Sequence, residues 1–461
     1  MSLLRHRFSV WAAKWANRLP ATRVIALMFL LIILVGALLL TTPWAARDGQ
    51  SCGFLPALFT ATSATCVTGL NLFDTFSQWS GFGQVVILAL IQVGGLRFMS
   101  VAMFFALMFN RRVSLKQRMV IAQGMGLSEL SGVVKLQKQV LWGTFLVEGV
   151  CALALFLHFL PDYGPWMAFK WGVFHSVSAF CNAGFDIFGQ VQPDTSVMLF
   201  AEDPFVCGVL MFLIVVGGIG FFVLSDVLTK RSFKKLTVYS KLVLIITAVL
   251  LIGGTGAICL AEWNNPGTLG GMTTGNKILN AMFQSVTTRT AGFASFDQAA
   301  MTDAGKAISV FLMLIGGSSG STAGGMKTVT LGLIVIYTLS RARARGRNHV
   351  TIFKRSIAQD QVADALTIFV LMMALSFFGG IALSVDAGSS FLDGLFEAVS
   401  ALATVGVTAN VTRALSPLGQ MLDIVFMFFG RVGILTISLG FLMGNQAKQR
   451  YQYAETKLMI G

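Results

Sequence analysis

The feature that most restricts the fold of this chain is a series of long apolar stretches with few charged residues. Residues 24–40, 139–160, 206–224 and 242–260 form four of them. Each is long enough to cross about 30 Å of hydrocarbon as a helix. Only 12% of the 461 residues are charged, compared with about 25% in an average soluble domain. Because a chain this apolar cannot cover itself with a water-facing surface, we predict an integral membrane protein.

The basic residues alternate with these apolar stretches along the chain. Lys and Arg concentrate in residues 5–23, 111–138, 230–241, 327–355 and 448–457, which hold 26 of the 34 basic residues. The positive-inside rule places such patches in the cytoplasm, so we predict cytoplasmic termini and an even number of crossings. This distribution argues against a nucleic-acid partner, despite a net charge of +14, and favours contact with anionic lipid headgroups.

A short, half-apolar segment recurs four times between the long stretches. Each copy starts with Phe and ends in a turn with a central glycine, and the copies occupy residues 59–70, 174–185, 283–293 and 396–407. The central glycines, which are 115, 108 and 114 residues apart, are Gly69, Gly184, Gly292 and Gly406. We interpret each unit as a helix, a half-spanning helix, a turn and a second helix, which gives eight crossings.

A serine precedes the glycine at a fixed distance in three of the four segments. Ser63, Ser178 and Ser400 lie six residues before it, and Ser285, seven residues before Gly292, is the nearest equivalent in the third segment. The recurrence of both residue types predicts four segments with one common local structure.

The short segments predict a passage for a cation. Irregular backbone at membrane depth is tolerated only where protein buries it or where it lines an aqueous cavity. Four half-helices with glycine turns therefore predict four re-entrant loops around one axis, with carbonyls that replace the hydration shell of an ion. The helix C-termini carry partial negative charge and favour a cation. Thr404-Val405-Gly406-Val407 comes closest to the TVGYG filter sequence of K⁺ channels.

The four turns resemble those of the Trk/Ktr/HKT superfamily, and the resemblance covers nearly the whole chain. The family's degenerate filter segments correspond to Val67, Thr68, Gly69, Asn182, Ala183, Gly184, Thr290, Ala291, Gly292, Thr404, Val405 and Gly406. Eight crossings without an additional N-terminal helix pair are most similar to the Ktr-type membrane subunit. The resemblance implies an all-α membrane protein of four helix–pore loop–helix repeats around one pore, which conducts K⁺ in a bacterial plasma membrane.

The same resemblance implies partners and domain boundaries. It implies a homodimer with one pore per protomer on a cytosolic ring of nucleotide-binding regulatory subunits of the RCK type. It implies K⁺ as the transported ion, Na⁺ as a candidate activator, and no cofactor bound by this chain. The predicted units are a cytosolic N-terminus (1–23), four repeats (24–112, 137–230, 240–340 and 363–445) and a cytosolic tail (446–461).

One glycine-rich stretch interrupts the second long helix of the third repeat. It consists of Gly316, Gly317, Ser318, Ser319, Gly320, Ser321, Thr322, Ala323, Gly324 and Gly325. Such a sequence cannot form a stable lipid-facing helix. By resemblance to the family, we expect an intramembrane loop under the filter that acts as a gate. A glycine patch that serves helix packing is the alternative.

Two arginines stand out in apolar surroundings. Arg431 lies in the apolar run 427–442, and an intramembrane arginine usually faces the protein interior or a cavity. By resemblance, it is the family's basic residue near the intramembrane loop, set to impede idle cation flow; a snorkelling arginine is the alternative. Arg97 stands where the family and residues 217–220 lead us to expect glycine. Natural variation, a salt-bridged packing residue and an engineered substitution remain open for Arg97.

The other polar residues form no catalytic or metal-binding constellation, so we predict no enzymatic activity and no metal site other than K⁺ at the filter. His175 and Glu397 lie within the short segments and are interpreted as structural polar residues. Asp186 follows the second turn, but the matching positions of the other repeats carry Asn71, Ala294 and Thr408. We therefore expect no ring of carboxylates at the mouth of the pore.

Two alternative functions remain open. The first is Na⁺ transport or Na⁺/K⁺ cotransport in the same scaffold, against which Gly69 argues, because a serine in the first turn would suggest Na⁺ permeation. The second is secondary transport of an organic solute, which would require polar side chains converging on a site near the midplane.

Overall fold

Four long apolar helices dominate the part of the chain that the computed structural model describes, which is residues 21–96, 133–343, 351–353 and 355–433. The spans long and apolar enough to cross a membrane there are Arg23–Leu40, Lys138–Cys181, Val238–Glu262 and Gln359–Ala387, and one bent helix pair would make a fifth. The predicted helical membrane fold is confirmed, and the count of eight crossings stays a prediction. Arg97 and the tail 446–461 lie outside the described residues.

The first repeat packs one long helix against two shorter ones. Its helices are α1 (Ala21–Leu40), α2 (Phe54–Cys66), α3 (Thr75–Gln78) and α4 (Gly81–Gly95), and a 3-10 helix spans Pro43–Ala45. A Cβ atom at Gly36 of α1 would lie 2.7 Å from the Leu90 side chain of α4 and 3.4 Å from that of Ala61 in α2. The absence of a side chain at Gly36 therefore lets three helices approach closely.

The second repeat is bent twice. Helix α5 (Val133–Cys181) is interrupted at Gly164, which has φ +74° and lies between Pro161 and Pro165, so one element contains both a long helix and the second short segment. Helices α6 (Pro204–Ile219) and α7 (Phe221–Lys230) meet at 95°. The bend is at Gly220, whose φ of +94° suits glycine and ends the helix. The sequence predicts such a break only in the third repeat. The 3-10 helices are Phe188–Gln190, Ser196–Phe200 and Phe233–Lys235.

In the third and fourth repeats, a long helix is followed by a short helix, a turn and a further helix. The third contains α8 (Val238–Glu262), α9 (Thr274–Thr287), α10 (Asp303–Leu314) and α11 (Thr328–Arg343). The glycine-rich stretch lies between α10 and α11. The fourth contains α12 (Gln359–Ala387), α13 (Phe391–Leu402), the 3-10 helix Thr412–Ala414 and α14 (Pro417–Val432). A small antiparallel hairpin, β1 (Thr351–Ile352) and β2 (Arg355–Ser356), precedes α12.

Apolar side chains face outward and the short segments occupy the interior. Leu38 of α1, Ile252 of α8 and Val385 of α12 expose 61%, 75% and 78% of their surface. By contrast, Ser63 of α2 and Ser400 of α13 are fully buried. This inverted distribution is expected when lipid covers the outside and the polar backbone of the short segments is enclosed by protein.

Candidate functional site

The turns after the four short segments share one unusual backbone conformation. Val67, Asn182, Thr290 and Thr404 each begin a turn with positive φ, at 58°, 61°, 71° and 52°. The glycine two residues later also has positive φ, at 102° for Gly69, 69° for Gly184, 85° for Gly292 and 98° for Gly406. Positive φ is rare for β-branched residues such as Val and Thr. Its recurrence at four equivalent positions indicates that the surrounding structure holds the turns in this conformation.

The four turns converge into a closed ring, and all twelve sequence-predicted filter residues lie in it. A Cβ atom built on Gly69 would lie 2.6 Å from the Ala183 carbonyl oxygen, one on Gly184 would lie 2.8 Å from that of Ala291, and one on Gly292 would lie 2.7 Å from that of Val405. The fourth turn meets the first and closes the ring, because a Cβ atom on Gly406 would clash with the Thr68 carbonyl oxygen. Each glycine therefore abuts the carbonyl that precedes the glycine of the next repeat.

Buried hydroxyl groups hold each turn against its own helix. The Ser63 and Ser400 hydroxyls accept hydrogen bonds from the Gly69 and Gly406 amides, each at 3.0 Å. The Ser178 hydroxyl instead donates to the Phe185 carbonyl at 2.6 Å.

In the third repeat the equivalent hydroxyl belongs to Thr287, so the assignment of Ser285 was wrong. Thr287 donates to the Phe293 carbonyl at 2.7 Å, whereas Ser285 donates to Leu251 of α8 at 3.0 Å. The third segment is one residue shorter than the others. Counting back from the glycine therefore misplaces the hydroxyl, whereas counting four residues forward from the initial Phe finds it in every repeat.

A cavity of ≈ 390 Å³ lies on one side of the ring, and the four ring glycines form part of its lining. The sequence predicts no ring of carboxylates at the mouth, but four carboxylates from three repeats line this cavity: Asp74, Asp186, Asp194 and Asp297. Asp74 and Asp297 each lie five residues after a ring glycine, and Asp194 lies ten residues after Gly184. The comparison of positions two residues after each glycine therefore detected only Asp186. Arg413 is the basic side chain of the lining within the described chain, so the cavity carries net negative charge, which attracts cations.

One ion pair ties the second and fourth repeats together beside this cavity. Arg413 donates to both carboxylate oxygens of Asp194, and its Nη1 lies 2.8 Å from Oδ2. The hydrogen bond from the Arg413 guanidinium lowers the pKa of Asp194 below its ordinary value, so this carboxylate stays charged at neutral pH. Burial and the neighbouring Asp74 raise the pKa of Asp186 to about 7, so Asp186 is partly protonated there.

The glycine-rich stretch packs on the other side of the ring, against the broken helix of the second repeat. The Ser318 amide donates to Gly218 at 3.1 Å and the Thr322 amide donates to Gly217 at 3.2 Å. The loop also reaches the ring, because a Cβ atom on Gly316 would lie 3.4 Å from Cγ2 of Thr290. The loop therefore lies directly beside the first residues of the turns.

Arg431 joins this loop to the first repeat. It is 8% exposed, and its guanidinium donates to the carbonyls of Thr322 in the loop and of Gly94 and Gly95 in α4. The structure thus places the sequence-predicted arginine beside the sequence-predicted loop. Three backbone carbonyls of two repeats accept hydrogen bonds from this buried cation, which does not fit a snorkelling side chain.

Arg289 is a second buried cation at the loop and is a functional residue that was not predicted from the sequence. It directly precedes Thr290, is 8% exposed, and donates to the Gly316 carbonyl and the Thr328 hydroxyl, each at 3.4 Å. Its contacts are with the first residue of the glycine-rich stretch and the first residue of α11. A positive charge within an otherwise uncharged filter segment was the signal that could have identified it.

Comparisons with known proteins agree with this architecture. Residues 13–450 match the family described as "TrkH: Cation transport protein". The chain is 39% identical to "Potassium/sodium uptake protein NtpJ" of Enterococcus hirae over 450 residues, which cover 96% of this chain and 98% of that protein. It is 38% identical to "Ktr system potassium uptake protein B" of Bacillus subtilis over 442 residues, with coverage of 96% and 97%.

A solved structure shares the fold. The potassium transporter TrkH from Vibrio parahaemolyticus superposes with a TM-score of 0.71 at 17% identity, and the match covers 92% of this chain and 84% of that one. The family and these relatives are transporters rather than enzymes. With a family match over nearly its entire length and four turns joined in one ring, this membrane protein belongs to the TrkH/Ktr family of cation transport proteins.

Proposed function

We propose that this chain is the K⁺-conducting membrane subunit of a bacterial K⁺ uptake system, with the ring of four turns as its selectivity filter. The observation that carries the proposal is the closed circuit in which each ring glycine abuts a carbonyl of the next repeat. Carbonyls arranged around one axis can replace the water around a dehydrated cation. The four short helices end at the ring, and the partial negative charge of their C-termini favours a cation there.

The surroundings of the ring support a directional path. The acidic cavity would raise the local concentration of cations on the outer side. On the inner side, the glycine-rich loop and Arg431 would act as a gate, since a backbone packed beside the turns and a fixed positive charge both oppose cation passage. The proposal includes cytoplasmic termini, which the distribution of basic residues along the sequence supports.

The proposed transport activity is tested by uptake of ⁸⁶Rb⁺ into liposomes that contain the purified chain. We expect K⁺ to inhibit uptake at much lower concentrations than Na⁺, because the carbonyl ring would favour the larger, more easily dehydrated ion. The assay is repeated with and without Na⁺ to test Na⁺ as an activator. Uptake that neither ion inhibits, or none at all from folded protein, would refute the proposal.

Na⁺ transport or Na⁺/K⁺ cotransport is the second candidate function. It is supported by the relative from Enterococcus hirae, whose name includes both potassium and sodium uptake. The presence of Gly69 in the first turn favours K⁺ over this alternative. Uptake of ²²Na⁺ in the same liposomes distinguishes the two, because a Na⁺-transporting protein would accumulate the label and a K⁺-selective one would not.

We further propose that the chain forms a homodimer on a cytosolic ring of nucleotide-binding subunits. The support is the similarity to a subunit of a Ktr system, together with α11, which runs from the glycine-rich loop to the basic residues Arg341 and Arg343. Copurification from the native cell should retrieve a soluble protein with a dinucleotide-binding fold, and native mass spectrometry should show two copies of this chain. Full nucleotide-regulated transport by this chain alone would contradict the partner proposal.

A further inference from the structure

The second residue of each short segment is polar, and it differs in every repeat. It is the residue after the initial Phe of each short segment: Thr60, His175, Gln284 and Glu397. These side chains are between 0% and 3% exposed. Polar groups buried at membrane depth are costly unless they have hydrogen-bond partners. The partners of these four residues therefore indicate what the position does.

In the fourth repeat, Glu397 accepts hydrogen bonds from the outgoing limb of its turn. The outgoing limb is the segment of chain that follows the ring glycine. The two carboxyl oxygens of Glu397 accept hydrogen bonds from the hydroxyls of Thr408, at 2.5 Å, and of Thr412. Thr408 lies two residues after Gly406, and its hydroxyl also accepts the Val411 amide at 3.2 Å. Glu397 thus ties helix α13 to the outgoing limb of its own turn.

In the second repeat, His175 makes the same connection with different chemistry. Its Nε2 lies 3.2 Å from the Ile187 amide, three residues after Gly184. An amide N–H can only donate, so Nε2 accepts, and Nδ1 carries the proton that it donates to the Trp171 carbonyl at 2.8 Å. The imidazole also stacks on Phe188, with ring centroids 3.7 Å apart. Both contacts fix the outgoing limb of the second turn.

In the third repeat, Gln284 makes the connection through a pair of amides. Its Nε2 donates to Oε1 of Gln298 at 2.6 Å, and Nε2 of Gln298 donates back to Oε1 of Gln284 at 3.2 Å. Gln298 lies six residues after Gly292 and lines the outer cavity. Glu397, His175 and Gln284 therefore make the same connection to the outgoing limb from the same position of three repeats.

Thr60, in the first repeat, provides an internal contrast. Its hydroxyl donates to the Pro56 carbonyl at 3.0 Å, which lies in the same helix. Within the described residues no hydrogen bond joins Thr60 to the outgoing limb of the first turn, where Asn71 is the position that corresponds to Thr408.

We propose that His175, Gln284 and Glu397 are positioning residues for the selectivity filter, each holding the outgoing limb of its turn so that the ring carbonyls keep their spacing. This rests on the proposed function, because it assigns a specificity role to residues behind the proposed filter. None of the three lines the outer cavity with the ring glycines, so they act through the turns rather than on the ion. Selectivity depends on where the carbonyls stand, and a turn released on one side can no longer fix them.

The test compares variants at the equivalent positions by the K⁺ and Na⁺ concentrations that half-inhibit ⁸⁶Rb⁺ uptake. The ratio of these concentrations gives the preference for K⁺ over Na⁺. Glu397→Leu and Gln284→Leu should each reduce the preference about tenfold, since each removes two buried hydrogen bonds from an outgoing limb. Thr60→Val is the matched control and should stay within about twofold, because a single helix-internal bond is lost. Glu397→Gln retains an acceptor oxygen and should keep most of the preference.

A second variant keeps the proposal testable if Glu397→Leu does not fold. Thr408→Val removes the same hydrogen bond from the other side, and Thr408→Ser restores a hydroxyl. The preference for K⁺ over Na⁺ should fall in the first and return in the second. Where Glu397→Leu folds, Thr408→Val should add little to it if the two residues act as a unit. Uptake per folded molecule and thermal melting are recorded alongside, because a purely structural role would lower these without changing ion preference.

The outcomes separate this inference from the proposed function. If the wild-type chain shows no K⁺-inhibited uptake, the proposed function fails, and the inference fails with it. If the wild type prefers K⁺ but the folded Leu and Val variants retain that preference, only the inference is overturned. An equal loss in Thr60→Val would also overturn it, because the outgoing limb would then not be the cause.

Discussion

Replacing Gly69 with serine is expected to weaken the preference for K⁺ over Na⁺ by about tenfold or more, which is a difference of about 1.4 kcal/mol or more between the two ions. Two features of Gly69 lead to this expectation. Its φ of +102° is a conformation that a residue with a side chain adopts only with strain. A Cβ atom there would also lie 2.6 Å from the Ala183 carbonyl oxygen and 3.2 Å from the Cα atoms of Gly184 and Gly406.

Something in the ring must therefore move to accommodate the new side chain. The nearest atoms belong to the backbone of the second and fourth repeats, which cannot rotate away as a flexible side chain would. The Ala183 carbonyl is displaced, and the serine hydroxyl offers a different oxygen ligand in its place. The measurement is the ratio of K⁺ and Na⁺ concentrations that half-inhibit ⁸⁶Rb⁺ uptake.

A matched control is available on α8. Gly253 has an ordinary helical φ, and no atom lies within 4 Å of a Cβ atom built on it. Gly253→Ser should therefore leave both uptake and ion preference unchanged. Equivalent changes at Gly184, Gly292 and Gly406 should reduce the preference to differing degrees, because the four turns differ in sequence. An unchanged preference in all four ring variants would remove the filter assignment.

Replacing Arg431 with glutamine is expected to raise K⁺ flux about tenfold while leaving the preference for K⁺ over Na⁺ unchanged. A unit charge removed from beside a cation path lowers the barrier by as much as a few kcal/mol in a partly screened interior. The substitution also removes the guanidinium that joins Thr322 of the loop to Gly94 and Gly95 of α4. The ring itself does not include Arg431, so its carbonyl spacing should persist.

The same change should reduce thermal stability, which gives the prediction a distinctive signature. Carbonyls that accepted from Arg431 lose a charged donor, and a buried acceptor left without a partner costs about 1–3 kcal/mol. Higher flux from a less stable protein is difficult to explain by a general loss of structure. Shortening the loop between Gly316 and Gly325 should likewise raise flux and loosen control by the regulatory partner.

Arg47→Gln is the control for Arg431→Gln, because it removes the same charge from the connection after α1 rather than from beside the glycine-rich loop. The Arg47 guanidinium stacks on Phe76 at 3.7 Å, and we expect its loss to leave flux unchanged. If Arg431→Gln or the shortened loop abolished flux in folded protein, the loop would be part of the scaffold. The gate would then have to lie elsewhere.

The sequence alone determined the membrane environment, the four short segments and the position of each ring glycine. These features are local or periodic: an apolar run must face lipid, and a segment too short to span must turn back. The resemblance then followed from the agreement of four weak motifs. The glycine-rich stretch was also identifiable, because its composition excludes a stable helix wherever it lies.

The tertiary structure decided which residues meet. Counting back from Gly292 selected Ser285, whereas packing selects Thr287, because a one-residue deletion lies between the hydroxyl and the turn. The carboxylates of the outer cavity lie two, five and ten residues after the ring glycines, so the comparison of a single position found only Asp186. The break at Gly220 lies against the loop of another repeat, where the Ser318 amide donates to the Gly218 carbonyl.

Glu397 and His175 show most clearly why the remainder could not be predicted. In the sequence they are isolated polar residues in apolar segments, and the interpretation as structural residues was the natural one. Their partners, Thr408 and Ile187, lie beyond the turn and come within reach only when the chain reverses at the ring. Local sequence fixes which groups need a hydrogen-bond partner, because burial follows from apolar periodicity. Only the path of the folded chain decides which partner each group finds, because that depends on contacts between segments that the sequence keeps apart.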